Sequence, residues 1–227
     1  SLFTLVPAFF FFVIFIHEMG HALAAWAMRY RVHIIAVGTH GFDPVNRKFR
    51  KIVDYSDNEV AGFIHYSPDW PIKSRWGEIF VSFAGPLATI ILGLILLWLD
   101  SQGEASYMRR HHAFFYLAMV CFLDATVNLI PFKSDGTHKN DGRSIFESLF
   151  KSEWTLKSWL NMRAYAASCY QQNSVSDEEW QVFREQCWKS NDADFQHVLR
   201  YLAWAKTDPA AFLAATKLDE IEGVDII

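Results

Sequence analysis

Apolar residues are concentrated before position 131, and the stretch after it is charged and rich in tryptophan. From Leu2 to Met28 the only charge is Glu18, and the run exceeds the roughly 20 residues that carry a helix across a bilayer. Ile79 to Leu99 contains no charge at all and stops at Asp100. Ala113 to Pro131 is a third run, interrupted by Asp124 and Asn128 and ended by a proline, which has no N–H with which to extend a helix. The pattern predicts transmembrane helices over about 2–28, 79–99 and 113–131.

Between the first two runs, Val32 to Val37, Phe49 to Tyr55 and Val60 to Tyr66 are rich in Val, Ile and aromatics and are separated by Gly, Asp, Asn and Pro. Those are strand signals with turn punctuation, and they predict a small membrane-associated sheet within 31–67. Beyond Pro131 the polar linker Lys133 to Asn140 gives way to helical patterns, with Ser176 and Glu179 as a capping box and Asp208-Pro209 as a cap followed by proline. The expected fold is a mainly α membrane protein. A core over 1–143 holds three spans with the sheet between the first two, and a cytoplasmic helical domain over 144–227 packs Trp154, Trp159, Trp180, Trp188 and Trp204 in its interior.

Composition sharpens this picture. A 52% hydrophobic content with 20 Phe and 9 Trp exceeds the balance of a soluble chain. The net charge of −4 offers no basic field for nucleic acid. Cys121, Cys169 and Cys187 have no CxxC or finger spacing and are read as ordinary thiols of a reducing compartment. No basic n-region precedes the first apolar run, so a cleaved signal peptide fits poorly, and the missing initiator Met leaves a truncated start open. Arg29 to Trp76 holds eight Lys or Arg, against Arg109 and Arg110 alone between Asp100 and His112. The larger loop is therefore expected in the cytoplasm, and three crossings bring the tail to the same side with the N-terminus outside.

The chemistry is carried by His17-Glu18-Met19-Gly20-His21. Residues four apart share a helix face, so two imidazoles there can grip one Zn²⁺ with Glu18 beside it as the general base for an activated water. Ionisable side chains in an apolar span cost several kcal/mol unless they are paired or bind something. Three of them in one turn of such a helix point to a metal site rather than chance.

These residues resemble the site-2 protease family of intramembrane zinc metalloproteases, whose first core helix carries HExGH. Phe83-Ala84-Gly85-Pro86-Leu87 is similar to the AGP motif of the family's second core helix, although Thr89 and Ile90 stand where an Asn is common. Asn128-Leu129-Ile130-Pro131 followed by Asp141-Gly142-Arg143 resembles its third element, in which an Asp-Gly pair supplies the last zinc ligand. The resemblance covers about residues 5–150 and implies a ligand set of His17, His21 and one aspartate. Asp135 and Asp141 compete for that place because the insertion Lys133 to Asn140 lengthens the family's spacing. Asp141 is preferred, since it opens an apolar-periodic helix and a ligand on a rigid element is easier to hold than one on a loop. Asn128 is a candidate to hydrogen-bond the scissile carbonyl, or else a polar residue joining helices. Asp124, one turn earlier, ranks below the ligands as a structural or proton-path residue, and Gly85 is explained by helix packing.

The function implied is hydrolysis of a peptide bond in or near the transmembrane segment of a single-pass membrane protein, within the lipid bilayer, with the substrate presented to an edge of the sheet by strand addition. The tail is expected to meet substrate, a regulator or a second copy of the chain. A nonproteolytic metal-binding adaptor has no need of Glu18. A membrane-anchored peptidase for soluble peptides needs an amphipathic helix, whereas Phe9 to Ile16 is apolar all round. A metal transporter needs more polar spans than these.

Overall fold

The computed structural model describes residues 2–51, 61–68, 75–102, 112–132 and 139–150, with positions 162, 163 and 166 of the tail. Asp135, the tail tryptophans, Cys169, Cys187, the helix caps expected at 176 and 208 and nearly all of 151–227 lie outside the described residues. The described part is mainly helical, with one small antiparallel sheet.

Helix α1 runs from Leu2 to Ala27. It closes with Arg29 in the left-handed region at φ 60°, where the Tyr30 N–H donates to the Ala25 carbonyl at 2.7 Å and the Arg29 N–H to the Trp26 carbonyl at 2.9 Å. These are the paired bonds of a Schellman ending, and they turn the chain sharply into strand β1, Arg31–Val37. Three further strands follow, β2 His40–Asp43, β3 Lys48–Lys51 and β4 Gly62–Ser67. The sheet order is β3-β2-β1-β4 with every neighbouring pair antiparallel. Of the three predicted strands, the first and last stand almost where expected, and the middle one is described only to Lys51 because its remainder lies outside the described residues. Strand β2 was not anticipated; its sequence, HGFD, carries little strand propensity.

Strand β1 is buried on both faces. Val32 and Ile35 pack on Ala22 and Ala25 of α1 and on Val81, while Ile34 packs against Ala166 of the tail. An irregularity between Val32 and Ile34 resets the alternation so that both faces meet a partner.

Helix α2 spans Trp76–Gln102, α3 Ala113–Leu129 and α4 Asp141–Phe150. Among the described residues two helices are long and apolar enough to cross a membrane, α1 over Ala8–Ala27 and the whole of α2; α3 is a shorter apolar helix. Helix α2 lies between α1 and α3 and packs along both. Gly93 lets Phe122 of α3 approach the α2 backbone, and Val13, Leu96, Ala118 and Cys121 form the core between the three helices. The outward faces remain apolar, with Phe11 and Phe15 on α1, Leu87 and Leu94 on α2 and Met119 and Leu123 on α3 all exposed. An apolar surface so continuous marks contact with lipid or another protein.

Candidate metal centre

The two imidazoles of α1 lie on one helix face, edge to face, with their centroids 4.8 Å apart, as neighbours at i and i+4 can. Helix α4 begins against them. Asp141, its first residue, brings Oδ2 to 2.9 Å from His17 Nε2 and Oδ1 to 3.2 Å from His21 Nε2. The opposite nitrogens are already committed. His17 Nδ1 donates to Asp124 Oδ2 at 2.9 Å, and His21 Nδ1 donates to the Val81 carbonyl at 2.7 Å. A neutral imidazole that donates from Nδ1 keeps its lone pair on Nε2, so two nitrogen lone pairs and a carboxylate converge on one point. The ligand atoms lie within 4.8 Å of one another. Bonds of about 2.0–2.1 Å to a tetrahedral zinc place such atoms roughly 3.3 Å apart, close to the nitrogen–oxygen separations found here. Acceptors gathered this tightly repel one another unless a cation lies between them, so the residues present fit a zinc ion.

The Phe83-to-Leu87 segment of α2 closes the centre from the other side. A Cβ on Gly85 would stand 2.7 Å from His17 Nε2 and nearer still to His21 Nε2. No side chain of any kind fits there. Pro86, inside α2, has no N–H for the Ser82 carbonyl, which loosens that turn beside the Val81 carbonyl that fixes His21. Gly20 of α1 packs on the same helix, since a Cβ there would lie 2.5 Å from the Ala84 carbonyl oxygen and 2.8 Å from Ala88 Cβ. Gly20 and Gly85 together bring the imidazoles onto the α2 backbone.

A cavity of about 430 Å³ opens at the centre. His17, Glu18, His21, Asp124, Asn128 and Asp141 border it, and β4 forms its wall from Gly62 to Ile64. Glu18 is buried against that strand, its Oε1 3.0 Å from where a Gly62 Cβ would stand. Among the described residues no strand pairs with β4 on the side away from β1. Asn128 Nδ2 donates to the carbonyl and to Oδ1 of Asp124, each at 3.1 Å, and so steadies the carboxylate that holds His17. Further along the wall, Tyr66 donates to Glu78 Oε2 at 3.0 Å; burial and the adjacent carboxylate push its hydroxyl well above the usual range.

His17, Glu18, His21, Asn128 and Asp141 therefore lie around one cavity, and the geometry adds two residues to them. Asp124 bonds directly to an imidazole, for which its cost in an apolar helix was the only signal. Gly85 faces the imidazole rims rather than merely easing helix packing, and nothing in a lone glycine announces that.

Residues 6–105 match the model for peptidase family M50, the family of the site-2 proteases. Over these residues, fewer than half of the 227, the chain is similar to family M50. M50 peptidases are membrane-embedded, zinc-dependent metalloproteases. The matched stretch contains α1 from residue 6 onward, the sheet and α2, and ends before α3 and α4. No curated protein and no solved structure matches the chain.

Proposed function

We propose that this chain hydrolyses a peptide bond in or beside the transmembrane segment of a single-pass membrane protein, with His17, His21 and Asp141 as zinc ligands and Glu18 as general base. The observation that carries the reading is the convergence of His17 Nε2, His21 Nε2 and the Asp141 carboxylate beside Glu18. Zinc bound there supplies Lewis acidity, which activates water near neutral pH and polarises a carbonyl oxygen. Glu18 takes the proton of the attacking water and returns it to the leaving amine. Asp124 and the Val81 carbonyl hold the imidazole tautomers, the usual work of groups behind metal-binding histidines. Asn128 positions Asp124 and, from the cavity edge, is placed to exchange one of those bonds for one to the scissile carbonyl.

Helix α3 is the third span in this reading. Its 17 residues reach about 26 Å at 1.5 Å per residue, close to a hydrocarbon core of about 30 Å, and Tyr116, Met119, Leu123 and Val127 form its exposed apolar row. The basic loop after α1 places the sheet, the cavity mouth and the tail on the cytoplasmic side. The substrate is cut near that leaflet. The tail meets substrate, a regulator or a second copy of the chain.

The test is purification in detergent, elemental analysis and cleavage of a panel of labelled single-pass substrates. The wild-type chain is expected to carry zinc and to cut at least one member. A chelator stops the cutting and added zinc restores it. Asp141→Asn loses both metal and activity, whereas Asp135→Asn retains both. Zinc loss confined to Asp135→Asn would transfer the third ligand to that residue, and full activity in metal-free protein would end the reading.

A helical substrate hides its carbonyls and must be drawn out before it can be cut. Strand β4 is placed to do this by pairing with it. In an antiparallel ladder successive residues point their N–H groups alternately to the partner and away, so of Phe63 and Ile64 one faces β1 and one faces outward. Proline at the outward position is expected to slow cleavage about fivefold for each main-chain bond lost, at about 1 kcal/mol per bond, with zinc content unchanged. Normal processing by both proline variants would rule out strand addition.

A further inference from the structure

Asn140, just before the aspartate of the centre, has every hydrogen-bonding group of its side chain engaged. Nδ2 donates to the Val127 carbonyl at 3.1 Å and to the Ile130 carbonyl at 2.5 Å. Oδ1 accepts from the Phe132 N–H at 3.3 Å and from the Arg143 N–H at 3.0 Å. An asparagine amide has two N–H donors and two oxygen lone pairs, so its capacity is filled.

Each pair of bonds answers a defect that the sequence creates. In a continuing helix the Val127 carbonyl would accept from the N–H of residue 131, but that residue is Pro131 and has none. Asn140 supplies the missing donor from 13 residues away. At the start of α4 the N–H groups of the first turn have no helical partner, and Oδ1 caps the one at Arg143 as an N-cap asparagine does. The two helix ends also touch directly, since a Cβ on Gly142 would run into the Leu129 carbonyl oxygen. Asp141 sits between these fixed points.

Resting on the zinc reading above, we propose that Asn140 is the positioning residue for the third metal ligand. By joining the proline-broken end of α3 to the start of α4, it sets where the Asp141 carboxylate stands and so how tightly the centre holds zinc. The carboxylate must meet two imidazoles that are themselves pinned from behind, so a small drift of α4 has no compensating movement on α1.

The experiment uses the full chain in detergent. Zinc affinity is measured by chelator competition, and the geometry of the centre by visible absorption of the Co²⁺-loaded protein. Asn140→Ala is expected to weaken zinc binding about 10–100-fold, the range for losing a group that orients a metal ligand, and to change the Co²⁺ spectrum. Asn140→Ser keeps a cap but gives up the bonds to α3, and falls between alanine and wild type. Adding Pro131→Ala to Asn140→Ala returns an N–H to Val127 and recovers part of the affinity, which a general loosening of the segment would not do. Glu147→Gln, which breaks the ion pairs to Lys139 and Arg143 in the same segment, leaves affinity and spectrum unchanged. Wild-type affinity in Asn140→Ala, or an equal loss in Glu147→Gln, overturns the proposal. Should the alanine form not fold, wild-type affinity in the serine form does so. A wild-type chain that binds no zinc would instead refute the metal reading itself.

Discussion

Gly85→Ala is expected to lower zinc affinity about 100-fold or more and to remove activity with it, although the change adds a single methyl group. That methyl would stand 2.7 Å from His17 Nε2 and 2.5 Å from His21 Cε1, well inside van der Waals contact. The rings cannot simply retreat, because Asp124 and the Val81 carbonyl hold them from behind. Moving both breaks one buried and one part-buried hydrogen bond at about 1–3 kcal/mol each, and the total corresponds to roughly 30-fold up to about 20,000-fold in a binding constant. Gly93→Ala is the control on the same helix. Its Cβ would press on Phe122 at 2.9 Å, where the cost falls on α2–α3 packing and not on the imidazoles. The two variants should therefore separate, with Gly93→Ala losing thermal stability and keeping zinc while Gly85→Ala loses zinc. Competition with a chelator reads the difference. Wild-type affinity in Gly85→Ala would mean that the imidazoles do not face α2 as found.

The sequence makes the metal-binding helix legible because the requirement there is local. His17 and His21 share a face by helix periodicity alone, and an apolar run from Phe9 to Ile16 announces where that helix lies. Strands β1 and β4 were readable for the same reason, being dense in β-branched and aromatic residues. What escaped depends on contacts over long separations. Asp124 meets His17 across 107 positions, so a carboxylate in an apolar helix could be seen as costly without its partner being named. Gly85 looks like any small residue of a membrane helix until the imidazoles stand opposite it. The preference for Asp141 over Asp135 rested on Asp141 opening a helix, and α4 does begin at that residue. Strand β2 shows the opposite failure, since HGFD pairs with β1 and β3 through register and not through its own propensity.

Glu18→Gln is expected to retain zinc at wild-type affinity while cleavage falls by about 10²–10⁴-fold, the contribution of a general acid–base group. The prediction follows from a division of labour within one helical turn. The ligand atoms belong to His17, His21 and Asp141, so nothing in the cation's cage changes when the neighbouring carboxylate becomes an amide of the same size. The amide cannot accept the proton of the attacking water, and that loss falls on turnover. Glu18→Asp refines the argument. It keeps the charge but draws the carboxylate back by one methylene from its seat against Gly62, and a misplacement of about 1 Å at a reacting group can cost 10²-fold. The pair separates the base from a group that only supplies negative charge near the metal, because a purely electrostatic role survives in the aspartate form. Cutting by Glu18→Gln within about tenfold of wild type would lie below the range for a lost general base and would move that role to another residue of the cavity. Loss of zinc from Glu18→Gln would instead place Glu18 among the ligands. A wild-type chain that binds zinc and a substrate yet cuts no better than Glu18→Gln would leave the centre as a binding site alone.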